Sequence, residues 1–349
     1  MSSSTLAALG WTDELEEALT TYAERGFRPA RVVAEHRGGY YVRGDDGDVL
    51  ASVRTRWRDE HELFGEMPAV GDWVAICDAP YGRAAIEAVL PRRTKVSRKT
   101  PWLKAAEHVL VANVDTLFLV SGLDADFNVR RLERYLVTAW ESGAEPVVVL
   151  TKLDLCTDPM KPLEAEAAAI GASVVSVSNV TGEGLEQLEP WLASGKTIAL
   201  LGSSGVGKST LINSLAGREV MPTGDLRNDG RGRHTTRHRQ LIALPSGALF
   251  IDTPGLRELQ VWEGDIDAAF ADIATLAAEC RFADCSHQVE PGCAVRAGVD
   301  EARLASYFKL QRELASVAAR SNARVKSELK RRWRSRTREV RQARRRGLY

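Results

Sequence analysis

Residues Lys196–Leu215 read KTIALLGSSGVGKSTLINSL, and the fold is decided there. Ile198–Leu201 is a short apolar run of the kind that forms a buried strand. Gly202-Ser-Ser-Gly-Val-Gly-Lys-Ser-Thr210 follows, then apolar residues at helical spacing, Leu211, Ile212 and Leu215. Strand, glycine loop and helix start are the context of a phosphate-binding loop. Gly202, Gly205 and Gly207 let successive N–H groups face one point. The helix N-terminus adds its partial positive charge there. The loop residues Gly202, Ser203, Ser204, Gly205, Val206, Gly207 and Thr210 are candidate nucleotide contacts. Lys208 would reach the β- and γ-phosphates and Ser209 would ligate Mg2+. A nucleoside triphosphate is the expected ligand.

Upstream, strand-like runs alternate with helical ones, which argues for a parallel sheet. Val109–Val120 is strongly β in character, Asn128–Glu141 is helical, and Val147–Leu150 is another apolar strand. That strand runs into Thr151-Lys152-Leu153-Asp154, at the strand end where open α/β sheets bind ligands. A carboxylate there can accept from the N1–H and 2-amino groups of guanine. The competing role for Asp154 is a helix cap. Ser173–Ser178 and the segment Ser176–Gly184, with Ser178 the candidate within it, could bring backbone amides to the guanine O6.

Downstream, Met221–Arg239 is polar, basic and Gly-rich and ends in Arg233-His234-Thr235-Thr236-Arg237. Such a loop has few apolar groups to order it. A hydroxyl of Thr235 or Thr236 would ligate Mg2+ when the γ-phosphate is present, as in GTPase switch loops. Ala248–Ile251 is again strand-like and leads to Asp252-Thr253-Pro254-Gly255. Asp252 would hold Mg2+ through a water and the Gly255 amide would sense the γ-phosphate.

The N-terminal third is different. Leu15, Ala18, Leu19 and Tyr22 fall at helical spacing. Between Pro29 and Val89, short β-like runs (Ala30–Glu35, Tyr40–Arg43, Val49–Thr55, Trp73–Asp78, Ala84–Ala88) are separated by turn chemistry. Five such runs suggest a small OB-type barrel, a common single-stranded nucleic-acid module. Tyr40, Tyr41, Trp57 and Trp73 either stack on bases or fill the barrel interior, with the interior favoured. Pro91–Lys104, basic and proline-punctuated, reads as a linker, either touching RNA or simply solvated.

The formal charge of zero conceals an asymmetry. Arg324–Tyr349 holds twelve Lys and Arg against two acids, a net +10, leaving −10 on the rest. A basic tail on an acidic body points to a polyanionic partner. The N-terminus has no basic start before an apolar block, and no run approaches the ~20 apolar residues of a membrane helix. A cytoplasmic, monomeric protein with no membrane partner is expected. The five cysteines are not spaced as a disulfide framework.

Three of them sit in Cys280-Arg-Phe-Ala-Asp-Cys285-Ser-His287-Gln-Val-Glu-Pro-Gly-Cys293. Three thiolates and one imidazole suit a closed, tetrahedral, structural zinc site; redox-active or coincidental cysteines are the alternative. Cys77 and Cys156 stand alone and read as ordinary buried thiols.

In ordinary small GTPases the base-reading motif follows the phosphate loop and the switches; here it precedes them. With LPRRTKVSRK (90–99), EHVLVANVDTLFLV (107–120), TKLD, GSSGVGKST, GRGRHTTR (230–237), DTPGLRE (252–258) and the cysteine cluster, the chain resembles the circularly permuted, ribosome small-subunit-dependent GTPase family RsgA (YjeQ). The resemblance implies an α/β P-loop GTPase core, permuted and with a mostly parallel sheet. An N-terminal β-barrel (OB-fold) and a C-terminal zinc-binding, mostly helical domain flank it. The expected segments are a helical extension 1–28, barrel 29–90, basic linker 91–106, GTPase domain 107–265, zinc-binding domain 266–323 and basic tail 324–349. The implied ligands are GTP/GDP, Mg2+ and one structural Zn2+. The implied partners are the small ribosomal subunit and its rRNA, in late subunit maturation.

Two positions depart from the common pattern. Thr151 stands where Asn is commoner, and a hydroxyl makes only part of an amide's hydrogen bonds. Leu256 follows DTPG where many GTPases place the glutamine that orients the attacking water. His234 is either its replacement or a solvated loop residue. Slow intrinsic GTP hydrolysis, raised on the order of 10²–10⁵-fold by a partner, is therefore expected. The rival readings are a nucleotide-gated rRNA-binding module with incidental hydrolysis, and an ATPase in which TKLD is fortuitous.

Overall fold

The computed structural model describes residues 5–36, 39–54, 67–99, 107–221, 239–252 and 266–315. Trp57, His234, Thr235, Thr236, Gly255, Leu256 and the basic tail lie outside the described residues.

Two short helices, α1 (Thr5–Ala8) and α2 (Asp13–Ala23), precede the first strand. Their apolar side, Leu6, Leu9, Leu15 and Leu19, packs on Trp73, Ala75, Ala88, Leu90 and Leu249. Five strands then follow the alternating runs: β1 (Arg28–His36), β2 (Gly39–Gly44), β3 (Gly47–Val53), β4 (Trp73–Ala79) and β5 (Arg83–Val89). The order β1-β2-β3-β5-β4 closes through β1–β4 pairing into a barrel, which removes its sheet edges. Trp73 is 1% exposed and Tyr40 9%, whereas Tyr41 is 41% exposed. The first two aromatics therefore serve packing; Tyr41 lies edge-on to His36.

The expected basic linker is partly a strand. β6 (Lys95–Lys99) pairs antiparallel with β7 (Glu107–Ala112), and Val96 is buried. The segment before it is anchored as well: Arg92 forms two hydrogen bonds with the carboxylate of fully buried Asp72, at 2.8 and 2.7 Å. Charge counted along the sequence misreads Arg92, because its partner lies 20 positions back in the chain.

The single β run expected over 109–120 is two strands. Asn113, at φ +53°, breaks β7 from β8 (Thr116–Gly122). Next come α3 (Val129–Ser142), capped by the Asn128 side chain, then β9 (Glu145–Thr151), α4 (Met160–Ala168) and β10 (Ser173–Ser176). The phosphate-loop strand β11 (Thr197–Gly202) feeds α5 (Lys208–Ala216). β12 (Gln240–Ala243), a short strand that periodicity did not suggest, pairs antiparallel with β13 (Leu249–Asp252).

The spatial order is β10-β9-β8-β11-β13-β12, with all neighbours parallel except β12. The strands adjoining β11 come from opposite directions in the chain, so the order reverses there and opens a crevice at the carboxyl ends. Alternate residues of β8 pack on opposite faces. Leu117 and Leu119 join one cluster, with Leu132 and Leu136 of α3; Phe118 and Val120 join the other, with Leu211 and Ile212 of α5. Covering both faces explains why these strands read as continuous apolar runs.

The C-terminal described part is helical: α6 (Ile266–Ala269), α7 (Ala271–Ala277), α8 (Ala294–Gly298) and a helix, α9, over 301–315. Glu133 of α3, 1% exposed, docks α9. Its carboxylate accepts from Arg303 Nη1 (3.1 Å), Ser306 Oγ (2.5 Å) and Arg130 Nη1 (2.9 Å). Arg303 also makes two hydrogen bonds with Asp272 and lies 4.7 Å from the Phe270 ring centroid.

Candidate nucleotide site and metal centre

The carboxyl ends of β8 and β9 are level, Gly122 opposite Thr151, while β11 ends at Gly202, opposite Val120, two residues short of the end of β8. Two glycines of the loop after β11 are required by geometry. A Cβ on Gly202 would lie 2.5 Å from the Val120 carbonyl oxygen, and Gly207 caps α5 at φ +99°, the left-handed region. Ser204 and Gly205 are exposed, Val206 is buried beneath them, and Ser209 and Thr210 occupy the first turn of α5. Lys208 Nζ donates to the carbonyls of Gly202 (2.8 Å) and Ser203 (2.6 Å). The ammonium is thereby held over the loop's own backbone.

Thr151, 0% exposed, donates its hydroxyl to the Val206 carbonyl at 2.6 Å. The departure from Asn thus joins the end of β9 to the loop after β11. Lys152, at φ +61°, turns the chain into a short 3-10 turn, Leu153–Leu155, that carries exposed Asp154. The Ser178 hydroxyl donates to Asp154 Oδ1 at 2.6 Å and accepts from the amides of Val180 and Thr181. Ser178 is 0% exposed and its amide is bonded to the Glu183 carbonyl. Its place in the site is therefore beneath the Asp154 carboxylate. Asn179, which sequence reasoning passed over, brings its Nδ2 to 3.5 Å from the Gly207 carbonyl.

Two acids escaped the sequence reading. Asp124 Oδ2 accepts from Lys152 Nζ at 2.6 Å, and Asp126 Oδ2 accepts from Ser203 Oγ at 2.8 Å. Burial pushes the Asp124 carboxyl up, but hydrogen bonds from Lys152 and the Asp126 amide bring it below the ordinary range. The Asp-x-Asp spacing just after a buried strand was the signal available. Asp252 is the last residue of β13, the strand beside β11.

The second candidate centre is the cysteine cluster. Donor atoms of Cys280, Cys285, His287 and Cys293 all lie within 4.8 Å of one another. Cys280 Sγ and Cys293 Sγ are 3.9 Å apart, and each is 3.5 Å from His287 Nδ1. A tetrahedron with Zn–S about 2.3 Å and Zn–N about 2.0 Å has edges of about 3.8 and 3.5 Å, so the donor set fits such an ion. The Glu290 carboxylate accepts from Ser286 Oγ and from the amides of Ser286, Gln288 and Val289, closing the turn that presents His287. These bonds, that from the Ser286 hydroxyl foremost, draw the Glu290 carboxyl down to about 2. Cys77 and Cys156 are half-buried and remote in sequence from this cluster.

A chain in which the TKLD strand end precedes the glycine loop has known counterparts. A family model described as RsgA GTPase matches residues 89–262. The small ribosomal subunit biogenesis GTPase RsgA of Opitutus terrae is 50% identical over 336 residues, spanning 90% of this chain and 91% of that protein. The chain belongs to the RsgA GTPase family. Small ribosomal subunit biogenesis GTPase RsgA 2 of Lactiplantibacillus plantarum is 46% identical, spanning 89% of each. Among solved structures, YjeQ from Thermotoga maritima is 29% identical with a TM-score of 0.61, over 83% of this chain and 99% of that one. YloQ, described as a circularly permuted GTPase, shares the fold at 23% identity and a TM-score of 0.56, over 83% of this chain and 96% of its own. The RsgA fold expected from motif order is therefore the fold found: a permuted GTPase core, an N-terminal barrel and a helical C-terminal region holding the Cys/His cluster. Among the described residues no helix is long and apolar enough to cross a membrane.

Proposed function

We propose that this chain hydrolyses GTP to GDP and phosphate, is stimulated by the small ribosomal subunit, and acts in its late maturation. The observation that carries the reading is Asp154, exposed within the Leu153–Leu155 turn with its carboxylate oriented by buried Ser178. The relatives named as small-subunit biogenesis GTPases supply the setting.

In this reading the exposed carboxylate of Asp154 recognises the N1–H and 2-amino edge of guanine. The backbone of Gly202–Gly207 cradles the phosphates, and Lys208 leaves the Gly202 and Ser203 carbonyls for the β- and γ-phosphates. Ser209 and Asp252 would hold Mg2+, which when bound neutralises phosphate charge. A hydroxyl of Thr235 or Thr236 and the amide of Gly255 are proposed to complete the phosphate contacts, and His234 to orient the attacking water. Catalysis is then positioning and charge stabilisation.

The cluster Cys280, Cys285, His287, Cys293 is assigned one structural Zn2+. Four protein donors leave no open position, so the ion stabilises the loop rather than reacting. The tail 324–349, at net +10, is assigned to rRNA phosphates, and the chain is taken to act as a cytoplasmic monomer. The test is nucleotide selectivity. D154N exchanges a carboxylate for an amide, so the preference should move from guanine to xanthine, which carries a carbonyl at C2. Unchanged preference for GTP would remove Asp154 from base recognition.

A further inference from the structure

The turn Asp124-Ala125-Asp126, between β8 and α3, touches both halves of the nucleotide site. Asp124 holds Lys152 of the base-reading segment, and Asp126 holds Ser203 of the phosphate loop. The two acids are themselves linked, since the Asp126 amide donates to Asp124 Oδ1 at 3.0 Å. The turn is also braced from behind. Arg131 Nη2 lies 2.9 Å from Asp126 Oδ2, Nη1 lies 3.3 Å from Oδ1, and Nη2 also donates to the Asp126 carbonyl. Arg131 sits in the first turn of α3, with its own amide capped by Asn128. The brace is thus rooted in a helix whose buried face includes Leu132, Tyr135 and Leu136.

We propose that Asp126 is a positioning residue of the phosphate loop, acting through the Ser203 hydroxyl, and that Asp124 performs the matching task for Lys152. This rests on the guanine-nucleotide reading above. Ser203 is the residue whose carbonyl takes the Lys208 ammonium at 2.6 Å. Its side chain therefore ties Asp126 to the loop assigned to the phosphates, and its carbonyl holds Lys208 until, in the reading above, the phosphates take that ammonium. An acid this close to a phosphate site would repel the ligand if left alone; the Arg131 guanidinium, on the same carboxylate, offsets its charge. Asp126 has no direct contact with the nucleotide in this account. It fixes one end of a loop that would otherwise lose conformational freedom on binding, and that entropy opposes affinity.

The division of labour makes the inference testable. D126A loosens the phosphate side alone, so GTP and GDP affinities should both fall about five- to tenfold, with guanine-over-adenine selectivity unchanged. S203A removes the other partner of the same bond and should do the same. The double variant should be no weaker than either single one, because both changes delete one interaction. D126N keeps an acceptor for the Ser203 hydroxyl and should stay within about twofold of wild type. D124A should instead narrow the guanine-over-adenine ratio, since it frees Lys152 beside the base.

The experiment is titration of the full chain and these variants with fluorescent GTP and GDP, and with fluorescent ATP for the guanine-over-adenine ratio, with thermal melting as the folding control. If D126A does not fold, S203A and D126N carry the test. Single-variant losses that multiply in the double variant would overturn the proposal. So would a folded S203A with wild-type affinity. A wild-type chain that binds neither nucleotide would overturn the guanine-nucleotide reading, and this inference with it.

Discussion

The Thr151 hydroxyl donates to the carbonyl of Val206 across 2.6 Å, with Thr151 fully buried. A residue at the end of β9 thus holds the phosphate loop that follows β11, 55 positions further along the chain. In T151V the shape is kept and the donor is lost, leaving a buried carbonyl without that partner. The expected cost is about 1–3 kcal/mol, read as a lower melting temperature together with GDP affinity reduced about tenfold. T151S keeps the hydroxyl and should stay near wild type. Equal behaviour of the two variants would show that the hydroxyl does not matter.

Ser178 supports Asp154 from below through its 2.6 Å hydrogen bond. S178A should leave the chain folded but let the carboxylate rotate, raising KM for GTP more than it lowers kcat. Steady-state kinetics with GTP and ATP checks this. A fall in kcat at constant KM would place Ser178 elsewhere in the mechanism.

The cysteine cluster predicts about one zinc per chain by elemental analysis. Chelation or C293A should lower the melting temperature, because in small metal-bound segments metal affinity is folding free energy. GTP binding should persist, as the donor set belongs to a different part of the chain from the phosphate loop. A chain purified without metal and unaffected by chelators would return the cysteines to redox chemistry.

Glu133 is a buried carboxylate shared by α3 and α9. E133A leaves Arg303 with Asp272 as its carboxylate partner and should destabilise the chain by about 3 kcal/mol in urea titration. Asp272 adds a pH dependence. Burial raises its carboxyl, but hydrogen bonding and charge from Arg303 outweigh this and bring it below the ordinary 3.8. A lowered carboxylate stabilises the fold above the unfolded-state value and loses that contribution as pH falls through the folded one. Stability should therefore decline below about pH 4, less steeply in D272N, when both are followed by acid titration of the unfolding midpoint.

The phosphate loop, TKLD, the strand alternation and the cysteine cluster were legible because each is a local pattern. Residues 202–210 lie on one continuous loop and helix start, and β9 and β11 announce themselves by unbroken apolar runs, whereas β7 and β8 read as one run until Asn113 parts them. Asp124 and Asp126 were not legible, since their partners, Lys152 and Ser203, are 28 and 77 positions away. The strand at Lys95–Lys99 was hidden for a related reason. Its basic composition looked solvated, while Arg92 before it was already committed to Asp72. The short β12 was masked by its length and by the polar stretch that precedes it. Thr151 was visible as a departure from Asn, but its role needed the Val206 carbonyl, which only the folded chain brings near.

Deleting residues 324–349 should weaken binding to small ribosomal subunits and flatten its dependence on salt, because fewer phosphate counterions are released. Co-sedimentation across a salt series measures this; an unchanged slope would take the tail out of the RNA interface.

GTP and ATP turnover of the purified chain, alone and with small or large ribosomal subunits, separates a ribosome-dependent GTPase from a nucleotide-binding protein with incidental hydrolysis. Turnover should be slow and GTP-selective, rise on the order of 10²–10⁵-fold with small subunits, and stay flat with large ones. Turnover that is equal for the two nucleotides and unmoved by small subunits would contradict the ribosome-dependent GTPase.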